Sequence, residues 1–317
     1  MRYRRTFLAI SVVILFNTVA VQGQTPASAT NYYQDGINKF ERGDFDGALE
    51  DYTRAIEISS RLFPAKHAQN RALRGTNAFD SVAADRITVI DPFTARAYTN
   101  RGIVLFRKGD LDGAISDLDQ AIRINSGLAE AHLARGVARR ASGDAKGALA
   151  DFERAISINP RLSEAYNDRA DLRLEIGDVD GAFADLNRAR ALKPRLPETY
   201  YQLGYARITK QQFEEAISDF DHALRLNPKM ACAYQGRGTA WMIKGDLENA
   251  IVDFGHALEL DPKLAAAYLN RGLALLLQDK DLEAQKDFEQ CLLLKPDLKA
   301  ELEKRIELAK ELRGKKP

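Results

Sequence analysis

Along most of the chain, apolar and polar positions follow the spacing of paired amphipathic helices. From Ala95 to Leu298 the pattern recurs every 34 residues in six consecutive units, 95–128, 129–162, 163–196, 197–230, 231–264 and 265–298. A seventh unit, 29–62, fits the same template. Within a unit numbered 1 to 34, positions 4, 8 and 11 and positions 20, 24 and 27 fall at helical spacing, which predicts two helices per unit. Position 8 is Gly36, Gly102, Gly136, Ala170, Gly204, Gly238 and Gly272, and position 20 is alanine throughout. Position 24 is large: Tyr52, Leu118, Phe152, Leu186, Phe220, Phe254 and Phe288. Small residues let the two helix axes approach, and the bulky one fills the remaining space.

The punctuation between helices repeats as well. Gly43-Asp44, Gly109-Asp110, Gly143-Asp144, Gly177-Asp178 and Gly245-Asp246 combine a residue suited to a left-handed helix end with one that can cap the next helix. Pro160, Pro194, Pro228, Pro262 and Pro296 mark the end of the second helix in five of the seven units. A helical pair of this size cannot bury both of its faces, so the units must stack on one another. Fixed-period similarity over most of a chain is a signature of repeat architecture.

These positions resemble the tetratricopeptide repeat family over 29–62 and 95–298, and Asn100-Arg101-Gly102 and Asn270-Arg271-Gly272 resemble its bacterial Asn-Arg-Gly type. The resemblance implies an all-α fold, a right-handed superhelical solenoid of stacked helix-turn-helix repeats. It also implies that the first helices line a concave groove for a protein or peptide. Residues 63–94 depart from the template: Asn70-Arg71-Ala72 and Ile90-Asp91-Pro92 read as remnants of a degenerate helical pair about four residues short. After Leu298, the apolar stripe Ala300, Leu302, Ile306, Ala309 and Leu312 suits a capping helix within 299–317, followed by a basic tail.

The N-terminus has a different character. Arg2, Arg4 and Arg5 precede an apolar run from Phe7 to Val21 that ends at Gly23. That order is expected of a secretory signal peptide over 1–23, with 24–28 as a flexible leader. The alternative is an uncleaved membrane anchor, although the run is shorter than the roughly 20 apolar residues a spanning helix needs. The expected location is the bacterial periplasm or the exterior, with membrane contact only if the segment is retained.

Charge narrows the function. Lys and Arg total 46 against 45 Asp and Glu, so no excess of basic residues points to nucleic acid. Position 23 is aspartate in every unit: Asp51, Asp117, Asp151, Asp185, Asp219, Asp253 and Asp287. Carboxylates recurring once per repeat do not face each other across a cleft as a catalytic pair would. Position 7 supplies Arg101, Arg135, Arg169, Arg237 and Arg271, and Arg–Asp contacts are expected to tie neighbouring helices. Asp35 and Leu203 interrupt the arginine row, so that pairing is not one-to-one. Arg139, Arg173 and Arg207 at position 11 read either as a basic ribbon for an acidic partner or as local partners of carboxylates such as Glu164 and Glu198.

The remaining chemistry is sparse. His222 and His256 share position 26 and read as solvated outer-face residues rather than zinc ligands. Cys232 and Cys291 occupy different positions, 2 and 27, which argues against a disulfide; Cys291 replaces a packed alanine. No nucleophile triad, phosphate-cradling loop or metal motif is present, so no catalytic residue, metal or cofactor is expected.

By the resemblance, positions 2, 5, 9, 12 and 13 of the first helices face the groove. The candidate partner-binding residues are Tyr33, Ile37, Phe40, Leu133, Asn167, Asp171, Leu174, Tyr201, Tyr205, Gln235, Met242 and Leu269. Several of those at 9 and 12 could equally pack against a neighbouring helix. Position 9 carries no asparagine and positions 2 and 5 no lysine, so the carboxylate clamp of chaperone-binding repeats is absent; only Asn100 and Asn270 stand at position 6, so a continuous asparagine ladder is absent too. The expected function is a non-enzymatic scaffold holding a protein or peptide. The alternative is a membrane-anchored accessory subunit of an envelope enzyme or secretion complex.

Overall fold

A computed structural model describes the backbone of residues 27–73 and 92–314, and the side chains of 29–60 and 93–314. The expected signal peptide and most of the degenerate stretch 63–94 lie outside the described residues. What is described is all-α, with no strand among the described residues. The helices are α1 (Ala27–Glu41), α2 (Phe45–Leu73), α3 (Pro92–Lys108), α4 (Leu111–Ile124), α5 (Ala129–Ser142), α6 (Ala145–Ile158) and α7 (Ser163–Ile176). They continue with α8 (Val179–Leu192), α9 (Pro197–Thr209), α10 (Phe213–Leu226), α11 (Ala231–Lys244), α12 (Leu247–Leu260), α13 (Ala265–Leu277), α14 (Asp281–Leu294) and α15 (Lys299–Gly314). The chain forms two compact bodies, one ending at Leu172 and the other beginning at Arg173.

The turns follow from the punctuation. Gly43, Gly109, Gly143, Gly177 and Gly245 all adopt positive φ, between 79° and 93°. The following aspartates cap the second helices: Asp110, Asp144 and Asp178 accept from the backbone N–H of Gly113, Gly147 and Gly181, and Asp246 from that of Asn249. The two units lacking the Gly-Asp pair keep the same backbone. Gln211 and Asp279 take φ of 61° and 62°, a conformation that L-residues with a side chain enter at a cost.

Close packing at position 8 is visible in atoms. A Cβ on Gly136 would lie 2.6 Å from Phe152, one on Gly204 2.7 Å from Phe220, and one on Gly272 2.5 Å from Phe288. Only glycine lets the aromatic of the second helix sit against the first helix's backbone. In the first body Phe152 and Ala148 anchor a core with Leu133, Val137, Leu162 and Leu172. In the second, Phe288 and Cys291 pack with Leu269, Leu273 and Leu276, and with Leu302 and Ala309 of α15. Thus α15 covers the last repeat, but Ala300 and Leu312 of the expected stripe are exposed; only Leu302, Ile306 and Ala309 pack.

Two boundaries differ from expectation. Helix α1 takes in Ala27 and Ser28 of the expected leader. Helix α2 does not stop near 62 but runs to Leu73. Its unit has Ser59-Ser60 where others carry pairs such as Asn159-Pro160, so neither an asparagine turn nor a proline ends the helix.

Candidate partner-binding face

Before asking which residues are available to a partner, the charges that hold the repeats must be set aside. Arg101 donates through Nε and Nη2 to both oxygens of Asp117 at 2.7 and 2.8 Å, and Arg135, Arg237 and Arg271 do the same to Asp151, Asp253 and Asp287. This planar two-point match favours arginine over lysine. The third donor of the same arginine reaches back one repeat, to position 25. Arg135 donates to Asp119, Arg237 to Asp221, and Arg101 to the Thr53 hydroxyl. Arg101, Arg135 and Arg237 therefore tie the two helices of their own unit and join them to the preceding one, whereas Arg271 faces Gly255 and ties only its own unit.

The gaps in the arginine row are filled from position 11. Where Asp35 stands at position 7, Lys39 pairs with Asp51 at 2.7 Å. Where Leu203 stands there, Arg207 donates to Asp219 at 2.6 Å. Arg139 and Arg173 also bind position 23, donating to Asp151 at 2.8 Å and Asp185 at 2.7 Å. The position-11 arginines are thus local partners rather than a basic ribbon, and the carboxylates are Asp151, Asp185 and Asp219 rather than the expected Glu164 and Glu198. One helical turn separates 7 from 11, so either position presents a cation to the same carboxylate.

The histidines also take more structural places than expected. His222 is half-buried and stacks on Tyr200, with ring centroids 4.0 Å apart and planes at 19°. The exposed His256 leans on Tyr234 at 5.3 Å. Each packs on position 4 of its own unit, not on the other histidine. Both cysteines are buried and free, and burial pushes the Cys232 thiol up to about 12.

Against this frame the twelve candidate residues divide. Ile37, Leu133, Asn167, Gln235 and Leu269 are buried. At these five positions the neighbouring side chains cover the residue, so little of its surface faces outward. Tyr33, Phe40, Asp171, Leu174, Tyr201, Tyr205 and Met242 are half-buried. Tyr33 accepts a hydrogen bond from Asn100 at 3.2 Å and lies edge-on to Phe93; burial pushes its hydroxyl up to about 12, with Arg96 opposing. Asp171 is paired with Arg140. Tyr201 and Tyr205 meet edge to face at 5.0 Å, and both lie edge-on to the buried Phe220, at 6.1 and 5.6 Å. Two partly exposed tyrosines held rigid by one core aromatic suit an interface anchor.

One residue escaped the sequence reading. Burial pushes the half-buried Asp168 carboxyl up to about 7, with Asp171 and Glu164 adding to the effect and Arg140 opposing it. Its signal was position 6, where this unit puts a carboxylate and others put asparagine, alanine, glutamine or glycine.

Family comparisons agree with this arrangement. Profiles described as tetratricopeptide repeat match residues 95–128, 133–197, 197–230 and 265–298, and one described as TPR repeat matches 238–279. The chain belongs to the tetratricopeptide repeat family. A comparison with curated proteins returns no match. Among solved structures, a tetratricopeptide repeat protein from Parabacteroides merdae superposes with TM-score 0.61 and 18% identity, covering 90% of this chain and 99% of that one. The APC/C hetero-tetramer Cut9–Hcn1 gives TM-score 0.63 and 19% identity over 83% of this chain and 52% of that one. For pilF of Pseudomonas aeruginosa the TM-score is 0.58 and the identity 19%, covering 64% and 92%. These likenesses establish a tetratricopeptide fold, and the chain is a protein-interaction scaffold of that family. No helix among the described residues is long and apolar enough to cross a membrane, and none of their His, Cys, Asp and Glu side chains cluster in threes to hold a metal.

Proposed function

We propose that the protein captures a protein or peptide on the exposed parts of its first helices, with Tyr201 and Tyr205 as the anchor. The observation that carries this reading is the pair's packing. The tyrosines rest on Phe220 and are half-buried rather than covered, so they offer rigid aromatic area at little entropic cost. Leu174 and Met242 of the same body are likewise half-buried and add apolar contact. No catalytic role is assigned to any residue.

Replacing both tyrosines, Tyr201→Ala with Tyr205→Ala, is expected to weaken capture of the partner from native extract about ten-fold or more while helicity is retained. Undiminished capture by a folded double variant would overturn the anchor. We further infer export, from the basic-apolar-small order of residues 1–23. N-terminal sequencing of the mature protein is expected to begin at Gln24. A retained Met1 would support the membrane-anchored accessory role instead.

A further inference from the structure

Three departures from the repeat pattern meet at one place in the second body. In unit 231–264, position 11 is Trp241, where other units carry lysine, arginine or leucine. Position 19 is Asn249, where they carry glycine or glutamate, and position 22 is Val252, where they carry glutamate, serine, alanine or lysine. All three line a single hollow of about 430 Å³, together with Tyr234 and Asp221. These are not positions 5, 9 and 12, so the site is separate from the tyrosine anchor and does not depend on it.

The charges inside are nearly, but not fully, balanced. Arg237 donates to both oxygens of Asp253 and to one oxygen of Asp221, which leaves the trio with one net negative charge. The Asp221 side chain is 38% exposed, and its second oxygen has no partner among the described residues. The Asn249 amide nitrogen donates to Asp246 at 2.7 Å, and its carbonyl oxygen has no partner among the described residues. Val252 is 56% exposed. Lys244 lies over Trp241, 5.4 Å from the ring centroid, and its own charge is matched by Glu214 at 2.9 Å. The Tyr234 ring is already taken by Arg237, 5.5 Å from its centroid, and by His256 at 5.3 Å, which also lines the hollow. The hollow therefore offers two uncommitted acceptors, one net negative charge, an indole and an exposed aliphatic patch.

That set selects among ligands. An anion would be repelled by Asp221. A purely apolar side chain would cut both acceptors off from water without replacing their hydrogen bonds, at a cost per group that cancels its own burial. An arginine matches every part: its stem covers Val252, its flat guanidinium stacks on an aromatic ring, and its N–H groups donate to Asp221 and Asn249. We propose that this hollow docks an arginine side chain of a protein partner.

Trp241 is the single tryptophan in the chain, so its emission reports on the hollow directly. The experiment titrates the full chain with an acetylated, amidated peptide Ala-Ala-Arg-Ala-Ala, and with the same peptide carrying neutral citrulline in place of arginine. The arginine peptide is expected to shift or quench the emission saturably, with affinity about ten-fold or more above that of the citrulline peptide. Asp221→Asn is expected to remove that preference. Asn249→Gly and Val252→Ser install residues that other units already carry, so they keep the test sound if Asp221→Asn loses helicity; each is expected to weaken binding several-fold. An emission unchanged by the arginine peptide at about 10 mM, equal response to citrulline, or full binding by both consensus variants would overturn the proposal.

Discussion

Asp151 and Asp219 hold the same position in two repeats, yet their surroundings differ. Asp151 receives Arg135 on both oxygens and Arg139 on one, with His132 Nδ1 at 3.6 Å. Burial pushes its carboxyl up, but the neighbouring His132 imidazole and the Arg135 and Arg139 guanidiniums outweigh that and hold it below the usual range. Asp219 has lost the position-7 arginine to Leu203 and keeps Arg207; there burial prevails and the carboxyl sits above its usual value. The two repeats differ again at the turn. Unit 129–162 has Gly143 at φ 93° and Asp144 as a cap, whereas unit 197–230 has Gln211 at φ 61° and Gln212 with no side-chain cap. The less regular repeat is also the one that carries Tyr201 and Tyr205. Regularity marks the frame, and departures from it coincide with the residues proposed to meet partners.

The comparison can be broken in several ways, the largest first. Asp151→Asn leaves the half-buried Arg135 and Arg139 without their counter-charge and is expected to cost about 3 kcal/mol, read by urea denaturation at neutral pH. Because the folded value of Asp151 is depressed, its stabilisation is present above the unfolded carboxyl value near 4 and is lost as pH falls through the lower folded value. Gly136→Ala forces a methyl to within 2.6 Å of Phe152 and is expected to cost about 1–3 kcal/mol in the same assay. A variant as stable as the parent would show that the helices can separate freely at position 8.

Asp168 runs the other way. Its folded value, near 7, lies above the unfolded one, so its contribution is intact at acid pH and is lost as pH rises from about 4 through 7. Asp168→Asn is therefore expected to raise stability by about 1 kcal/mol at pH near 8, and by nothing near pH 4, in paired melting curves. The smallest effect belongs to the turn. Gln211→Gly relieves a left-handed residue and should add about 0.5 kcal/mol after the entropy cost of glycine, while Gly143→Ala should lose stability.

Much of this frame was legible in the sequence, because it rests on local rules. Glycine and aspartate between helices, small residues facing Tyr52 or Phe152, and arginine at 7 with aspartate at 23 each follow from helical spacing. What was not legible depends on how one helix is rotated against another. The sequence pattern could not show that Lys39 and Arg207 replace the missing position-7 arginines, nor that the third donor of Arg135 crosses to Asp119. It could not separate the buried Ile37, Leu133, Asn167, Gln235 and Leu269 from the half-exposed Tyr201 and Tyr205, because equivalent positions are covered to different depths by their neighbours. The continuation of α2 to Leu73 turned on two serines in place of a stop signal.

The central claim is that the repeated carboxylate stabilises the stack only where its cations outweigh the cost of burying it. Urea denaturation of Asp151→Asn and Asp219→Asn at pH 7, each against the parent chain, tests it most directly. The account predicts a loss at Asp151 about 2 kcal/mol or more larger than at Asp219, where the raised carboxyl leaves little to lose. Equal losses at the two positions would contradict it.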